Sequence, residues 1–460
     1  MAVNPADSEV FGTLFGSDGM RAIFDDHAYF QRMLDVEAAL ARVQARLGII
    51  PANAARAITA AARLEHLDLA ALARSVRTVG YPVVGLVQGL SRAAGEAGRW
   101  THWGATTQDI MDTALVLQMR QGLKLIREEL LAIVKALVTQ AETHRHTLMV
   151  GRTHLQHALP ITFGLKCAIW LQPLLTHLAR LAELGPRVEI VQFGGAAGTL
   201  ASLGGQGVAV MEGLAGELGL AAPPAPWHVL RDGLAETVGF LGLLSGSFAK
   251  IATDVILLAQ TEIGEVAEPY VEGRGSSSTM PQKRNPIASE YILAAARMVQ
   301  GLVPVMQGAM AQDHERATGP WQAEWLALPQ SFVLTHGAAL HTRLIAEGLT
   351  VDAERMRRNL LADSGLSLAE AAMMGLAPQL GRLEAHHLVY KATALARASS
   401  LSLAEALARE PAVSARLNPE AIRRLTDPET YLGATSLFIS RVLAKADAAL
   451  GAGHSGPAAG

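Results

Sequence analysis

The most informative run in the chain is Gly275-Ser-Ser-Ser-Thr-Met-Pro-Gln-Lys-Arg-Asn-Pro286. Hydroxyl side chains are followed by two cations, Lys283 and Arg284, and then by Asn285-Pro286. Asparagine before proline reads as a helix N-cap and first helical residue, and apolar residues at helical spacing resume at once. The cations therefore precede a helix N-terminus, where the dipole and the free N–H groups also favour an anion. Two readings are open on these features alone: a hydroxyl-bearing loop feeding an anion site, or a polar linker capping a helix.

Two further stretches hold polar chemistry. Gly151-Arg-Thr-His-Leu-Gln-His-Ala-Leu-Pro160 offers His154, whose type of side chain titrates near neutrality and suits proton transfer. Thr153 and Gln156 beside it can form neutral hydrogen bonds to a carboxylate. His154 and His157 have the spacing of a metal pair, but no third ligand stands nearby in sequence, so no metal is expected and His157 reads as structural. Thr101-His-Trp-Gly-Ala-Thr-Thr-Gln-Asp109 brings together His102, Thr106, Thr107 and Gln108. A long helix starts here, so capping competes with binding as the role of the two threonines.

The elements that must position these residues are long helices. Val116, Met119, Leu123, Ile126, Leu130, Ile133 and Leu137 alternate spacings of three and four, a continuous apolar seam on one helix face. The runs Leu171 to Leu181, Leu241 to Leu258 and Ile292 to Ala309 repeat it. A helix from Gln108 to His144 would be roughly 50 Å long. Helices of that length need one another, which places a long-helix bundle at the centre of an all-α chain. Apolarity on more than one face of them points to an oligomer. We divide the chain into a mainly helical N-terminal domain (1–107), the central bundle (108–350), a C-terminal helical domain (351–450) and a disordered tail (451–460).

Composition narrows the function. Half of the residues are hydrophobic but only 5% are aromatic, which favours packed helices over a β-sandwich. Lys and Arg number 39 against 42 Asp and Glu, with no long run of one sign, so neither nucleic acid nor an anionic membrane is an expected partner. The single cysteine, Cys167, allows no disulfide within the chain and reads as a buried hydrophobe. The first residues lack the apolar core of a signal peptide, and no stretch of about 18 apolar residues runs uninterrupted. A cytoplasmic location is expected.

Ser277-Ser-Thr-Met-Pro-Gln-Lys-Arg-Asn-Pro286 resembles the signature of the fumarase/aspartase superfamily, S-S-x-M-P-x-K-x-N-P, at every fixed position. The resemblance extends over essentially the whole chain. It implies a three-domain, mostly helical fold and a homotetramer in which three regions from three subunits meet at each active site. It implies no cofactor. Ser277 falls where the superfamily has its base; Ser276 replaces the glycine that often precedes that serine, and Ser278 is the other candidate. Lys283 and Asn285 fall where a substrate carboxylate is held as it takes a second negative charge, and Met280 lies in the same stretch. His154 matches the histidine that protonates the leaving group or holds a carboxylate, with Thr153 and Gln156 beside it. Thr106, Thr107 and Gln108 match the remaining carboxylate-binding region, and His102 lies close by.

Gln192 to Gly198, Pro226-Trp-His228 with Arg231-Asp232, His314-Glu-Arg316 and Ala323 to Pro329 are placed as in the branch of 3-carboxy-cis,cis-muconate cycloisomerases. The expected reaction is therefore a cycloisomerisation: a carboxylate oxygen adds to a conjugated double bond and the neighbouring carbon takes a proton. The expected substrate is a small di- or tricarboxylate. An epimerase or C–N lyase acting on an N-substituted aspartate such as iminodisuccinate is the alternative, because cycloisomerases often carry another residue where this chain has His154. Adenylosuccinate lyase fits less well, since Gln322-Ala-Glu-Trp325 lacks the phosphate-binding arginine of that enzyme's segment. A catalytically silent helical scaffold is a third reading, and it would need none of Ser277, His154 and Lys283.

Overall fold

The computed structural model describes residues 4–269, 273, 275, 279–280, 282–316 and 318–452; Ser277 and Ser278 lie outside the described residues. The fold is helical, as expected, with two small antiparallel sheets among the described residues. The helices that carry the argument are α1 (Asp26–Arg46), α2 (Thr107–Thr143), α3 (Phe163–Val188), α4 (Asp232–Leu258), α5 (Ile287–Gly308) and α6 (Pro320–Gly348). Helix α2 runs within a residue of the expected span at each end. Its seven seam residues, Val116 to Leu137, are all at most 4% exposed. Helix α4 is long and apolar enough to cross a membrane by composition, and half of its most apolar window is buried inside the protein.

The chain divides into two compact units. The first comprises Met1–Leu130, His177–Ala249 and Tyr291–Leu340. Its core contains buried α1 residues such as Leu34, Val36 and Leu40, together with the α2 seam up to Leu130 and the α5 seam from Ile292. The second comprises Leu131–Thr176, Lys250–Glu290 and His341–Gly460. It holds a hairpin, β1 (Leu148–Thr153) with β2 (Gln156–Thr162), and a helical cluster around Leu376, Leu388 and Leu407. Several large apolar side chains on the long helices remain more than half exposed: Ile169, Leu243, Met298 and Leu326.

Candidate active site

In the first unit, four of the expected site residues lie on one turn-and-helix start. His102 adopts φ of +56°, a left-handed conformation that costs a non-glycine residue free energy, and Gly104 follows at +76°. A Cβ on Gly104 would come within 2.8 Å of the Leu203 side chain, so the turn is closed against its neighbour as well. Helix α2 then begins at Thr107. Its cap comes from within: Asp109 Oδ2 accepts the Thr106 N–H at 2.9 Å, the acidic half of a capping box. The Thr106 hydroxyl is left for another partner and accepts from Arg316 Nη1 at 3.1 Å.

Asp109 does more than cap. It is fully buried and also accepts from His228 Nε2 (2.7 Å), Gly194 N (2.8 Å) and Gly195 N (3.0 Å). Two distant loops are thereby fixed to the first turn of α2. One turn further on, Asp112 accepts both terminal nitrogens of Arg231 at 2.7 and 3.1 Å. Arg231 is also buried, donates to Glu324 at 2.9 and 2.5 Å, and lies over the Trp227 ring at 4.9 Å. Burial opposes its charge, but the two carboxylates outweigh burial and hold it protonated. The segments marked in sequence at Gln192, Trp227-His228, Arg231 and Glu324 are thus one buried polar scaffold beneath the start of α2.

Gln108 joins that scaffold to Arg316. Its amide nitrogen donates to Asp112 at 3.0 Å and to the His228 carbonyl at 2.9 Å, and its oxygen accepts from Arg316 Nε at 3.2 Å. Gln108 is buried, while Thr106 and Thr107 are half-buried. Arg316 thus donates through Nε and Nη1 to neutral groups, and its Nη2 is buried without a hydrogen-bond partner among the described residues. No carboxylate answers this guanidinium among the described residues. Arg316 lies in the His314-Glu-Arg316 segment, whose sequence alone gives it no role.

In the second unit, Thr153, His154 and Gln156 are exposed at the tip of the β1–β2 hairpin. His154 and Leu155 form the two-residue turn with φ of +51° and +62°, positions usually taken by Asn-Gly. Leu155 is 72% exposed. A strained, uncovered tip needs a firm base. Arg152 supplies it, pairing with buried Glu265 through two bonds of 2.9 and 2.6 Å, and Asn359 adds a bond to Glu265 at 2.8 Å. His157 pairs with Arg152 across the hairpin. Among the described residues no group of three His, Cys, Asp or Glu side chains is placed to hold a metal.

Met280 and Lys283 are exposed and Asn285 is half-buried. The helix start after them differs from the expectation. Helix α5 begins at Ile287, and its leading N–H groups, on Ala288 and Ser289, donate to the Glu268 carboxylate at 3.0 and 2.8 Å. The Ser289 hydroxyl adds a bond of 2.8 Å to Glu268. A full negative charge suits the helix dipole better than an asparagine amide, so Glu268 is the cap. The Asn285 N–H goes instead to the Gly275 carbonyl at 3.0 Å. The donors of Ala288 and Ser289 are therefore already taken by Glu268.

Comparison with known proteins agrees with this architecture. Residues 15–301 match the family described as Lyase, and residues 365–442 match the family described as Adenylosuccinate lyase C-terminus. A 3-carboxy-cis,cis-muconate cycloisomerase of Pseudomonas aeruginosa is 48% identical over 95% of this chain and 96% of its own. A trans-aconitate decarboxylase of Mycosarcoma maydis is 44% identical over 97% of this chain and 91% of its own. The crystal structure of a 3-carboxy-cis,cis-muconate lactonizing enzyme from Pseudomonas putida superposes with a TM-score of 0.92 at 46% identity, covering 96% of this chain and 100% of that one. The chain belongs to the lyase family of the fumarase/aspartase superfamily and is an enzyme of that superfamily.

Proposed function

We propose that the chain cycloisomerises 3-carboxy-cis,cis-muconate or a close analogue. In the lactonising direction a substrate carboxylate oxygen adds to the conjugated double bond, and the carbon next to a second carboxylate takes a proton. In the reverse direction Ser277 removes that proton. The scarcely acidic C–H becomes removable because Lys283 and Asn285 hold the adjacent carboxylate as its charge grows. His154 serves the leaving oxygen or a further carboxylate, with Thr153 and Gln156 as neutral donors. Ser278 and Met280 complete the loop side. His102, Thr106 and Thr107 bind the remaining carboxylate, and Gln108 contributes by holding Arg316.

One observation carries this reading: the Arg316 guanidinium, donating to Thr106 and Gln108, has a buried Nη2 with no protein acceptor among the described residues. A cation so placed calls for an anion from outside the chain, and a carboxylate meets its fork geometry. Support for shared sites comes from the uncovered hairpin tip at His154 and from exposed Leu243, Met298 and Leu326. The assembly in this reading is a cytoplasmic homotetramer whose three polar regions come from three subunits.

The alternative reading, an epimerase or C–N lyase of an N-substituted aspartate, is favoured by His154 itself. The purified protein is assayed by ultraviolet absorbance and proton NMR in deuterated water. The probes are 3-carboxy-cis,cis-muconate and, separately, enantiopure iminodisuccinate. Loss of the diene absorbance with lactone formation supports the cycloisomerase. Racemisation, or release of fumarate and aspartate, replaces it with the alternative. Silence on both refutes the substrate assignment.

A further inference from the structure

Helix α1 is apolar where it enters the core, yet Glu37 sits there among Leu34, Val36, Ala38 and Leu40, only 1% exposed. A buried carboxylate is costly unless its oxygens are answered. Both are answered by one residue, His102. Glu37 Oε1 lies 2.6 Å from His102 Nδ1, and Oε2 accepts the His102 backbone N–H at 3.1 Å. One carboxylate therefore grips both the ring and the main chain of a residue held at φ +56°. Nearby, Gln44 on the same helix donates to the Trp103 carbonyl at 2.6 Å, so the next residue is fixed as well.

The consequence for the imidazole is chemical. An ionised carboxylate only accepts, so Nδ1 carries the proton in that bond. Nε2 has no hydrogen-bond partner among the described residues, and the ring is 22% exposed. The charged groups acting on the ring are Glu37 from α1 and Asp109 from α2. Burial works against protonation of His102, but the charge and hydrogen bond of Glu37, followed by Asp109, outweigh it and raise its pKa above the ordinary value.

We propose that Glu37 is a positioning residue: it locks His102 in its left-handed turn, holds the Nδ1 proton and favours the imidazolium form, so that Nε2–H is offered to a substrate carboxylate. This rests on the carboxylate-binding reading of His102 given above. Glu37 acts on the substrate only through His102, by its ring and by its main chain.

The test reads His102 directly as well as through turnover. Histidine labelled at Cε1 is followed by NMR across a pH titration, and the His102 signal is identified by its loss in His102→Gln. In Glu37→Gln the midpoint is expected to fall by about one unit or more. With 3-carboxy-cis,cis-muconate as substrate, KM is expected to rise about tenfold or more with a smaller change in kcat. The alkaline limb of kcat/KM is expected to move to lower pH. A merely structural Glu37 would lower the melting temperature and leave both midpoints in place, which overturns the proposal. If Glu37→Gln does not fold, the wild-type signal still decides: a midpoint above about 6.5 supports the proposal and one below it refutes it. The NMR arm needs no turnover, so a moved midpoint in a protein inactive on muconate would sink the substrate assignment and leave the Glu37–His102 coupling standing.

Discussion

Asp109 and His228 stand 119 residues apart in the chain and share a buried hydrogen bond of 2.7 Å. With the three backbone N–H groups that also reach Asp109, this contact ties two loops to the first turn of α2. Asp109→Ala would leave His228 and three backbone donors without an acceptor. The expected cost is about 3–5 kcal/mol of folding stability, read by urea denaturation followed by circular dichroism. A loss below about 1 kcal/mol would show that the loops hold their places without it.

Arg316 gives a cleaner functional signature. Arg316→Gln removes the charge and the fork but leaves an amide that can still reach Gln108 or Thr106. KM for the muconate substrate should rise about 10- to 100-fold, the equivalent of one charge-assisted bond to a carboxylate, with little change in melting temperature. An unchanged KM would assign the unpartnered nitrogen no ligand.

Ser277 and Ser278 can be told apart by substitution. Ser277→Ala is expected to lower kcat by about a thousandfold with folding intact, and Ser278→Ala to retain most of it. The reverse pattern would move the base one residue along.

Acid should destabilise the enzyme through two histidines that play no part in the proposed chemistry. Burial lowers His336 to about 4, and burial with the nearby Arg180 charge lowers His177 to about 4. The unfolded chain therefore takes up these protons first as pH falls. Their contribution to stability is complete above about 6.5 and is lost progressively as pH falls towards 4. Melting temperature measured between pH 7 and 4 should fall accordingly, and His336→Leu should flatten the slope. A slope identical in the variant would assign the acid sensitivity elsewhere.

The long helices were legible because their apolar residues keep strict spacings of three and four, and α2 was placed almost to the residue. The β1–β2 hairpin was not. Gly151 and Pro160 break its alternation, a bulge interrupts the register between Val150 and Arg152, and its turn is His154-Leu155. Local signals also mark stretches of polar chemistry without revealing what their residues touch. Glu37 lies 65 residues from His102, and Gln108 lies 208 from Arg316, so no window of sequence contains both partners. A lone acid inside the apolar face of α1 was the one local sign of the first pair. The cap at α5 is hidden from local sequence for the same reason: Glu268 is 20 residues before the N–H of Ala288 that it accepts.

That cap separates inheritance of shape from change of chemistry. Because Glu268 rather than Asn285 answers the leading N–H groups of Ala288 and Ser289, the start of α5 does not depend on the identity of the signature side chains ahead of it. Mutation can therefore explore Met280, Lys283 and Asn285 without unravelling the helix that follows. A scaffold insulated in this way can keep its form while the side chains of its site change.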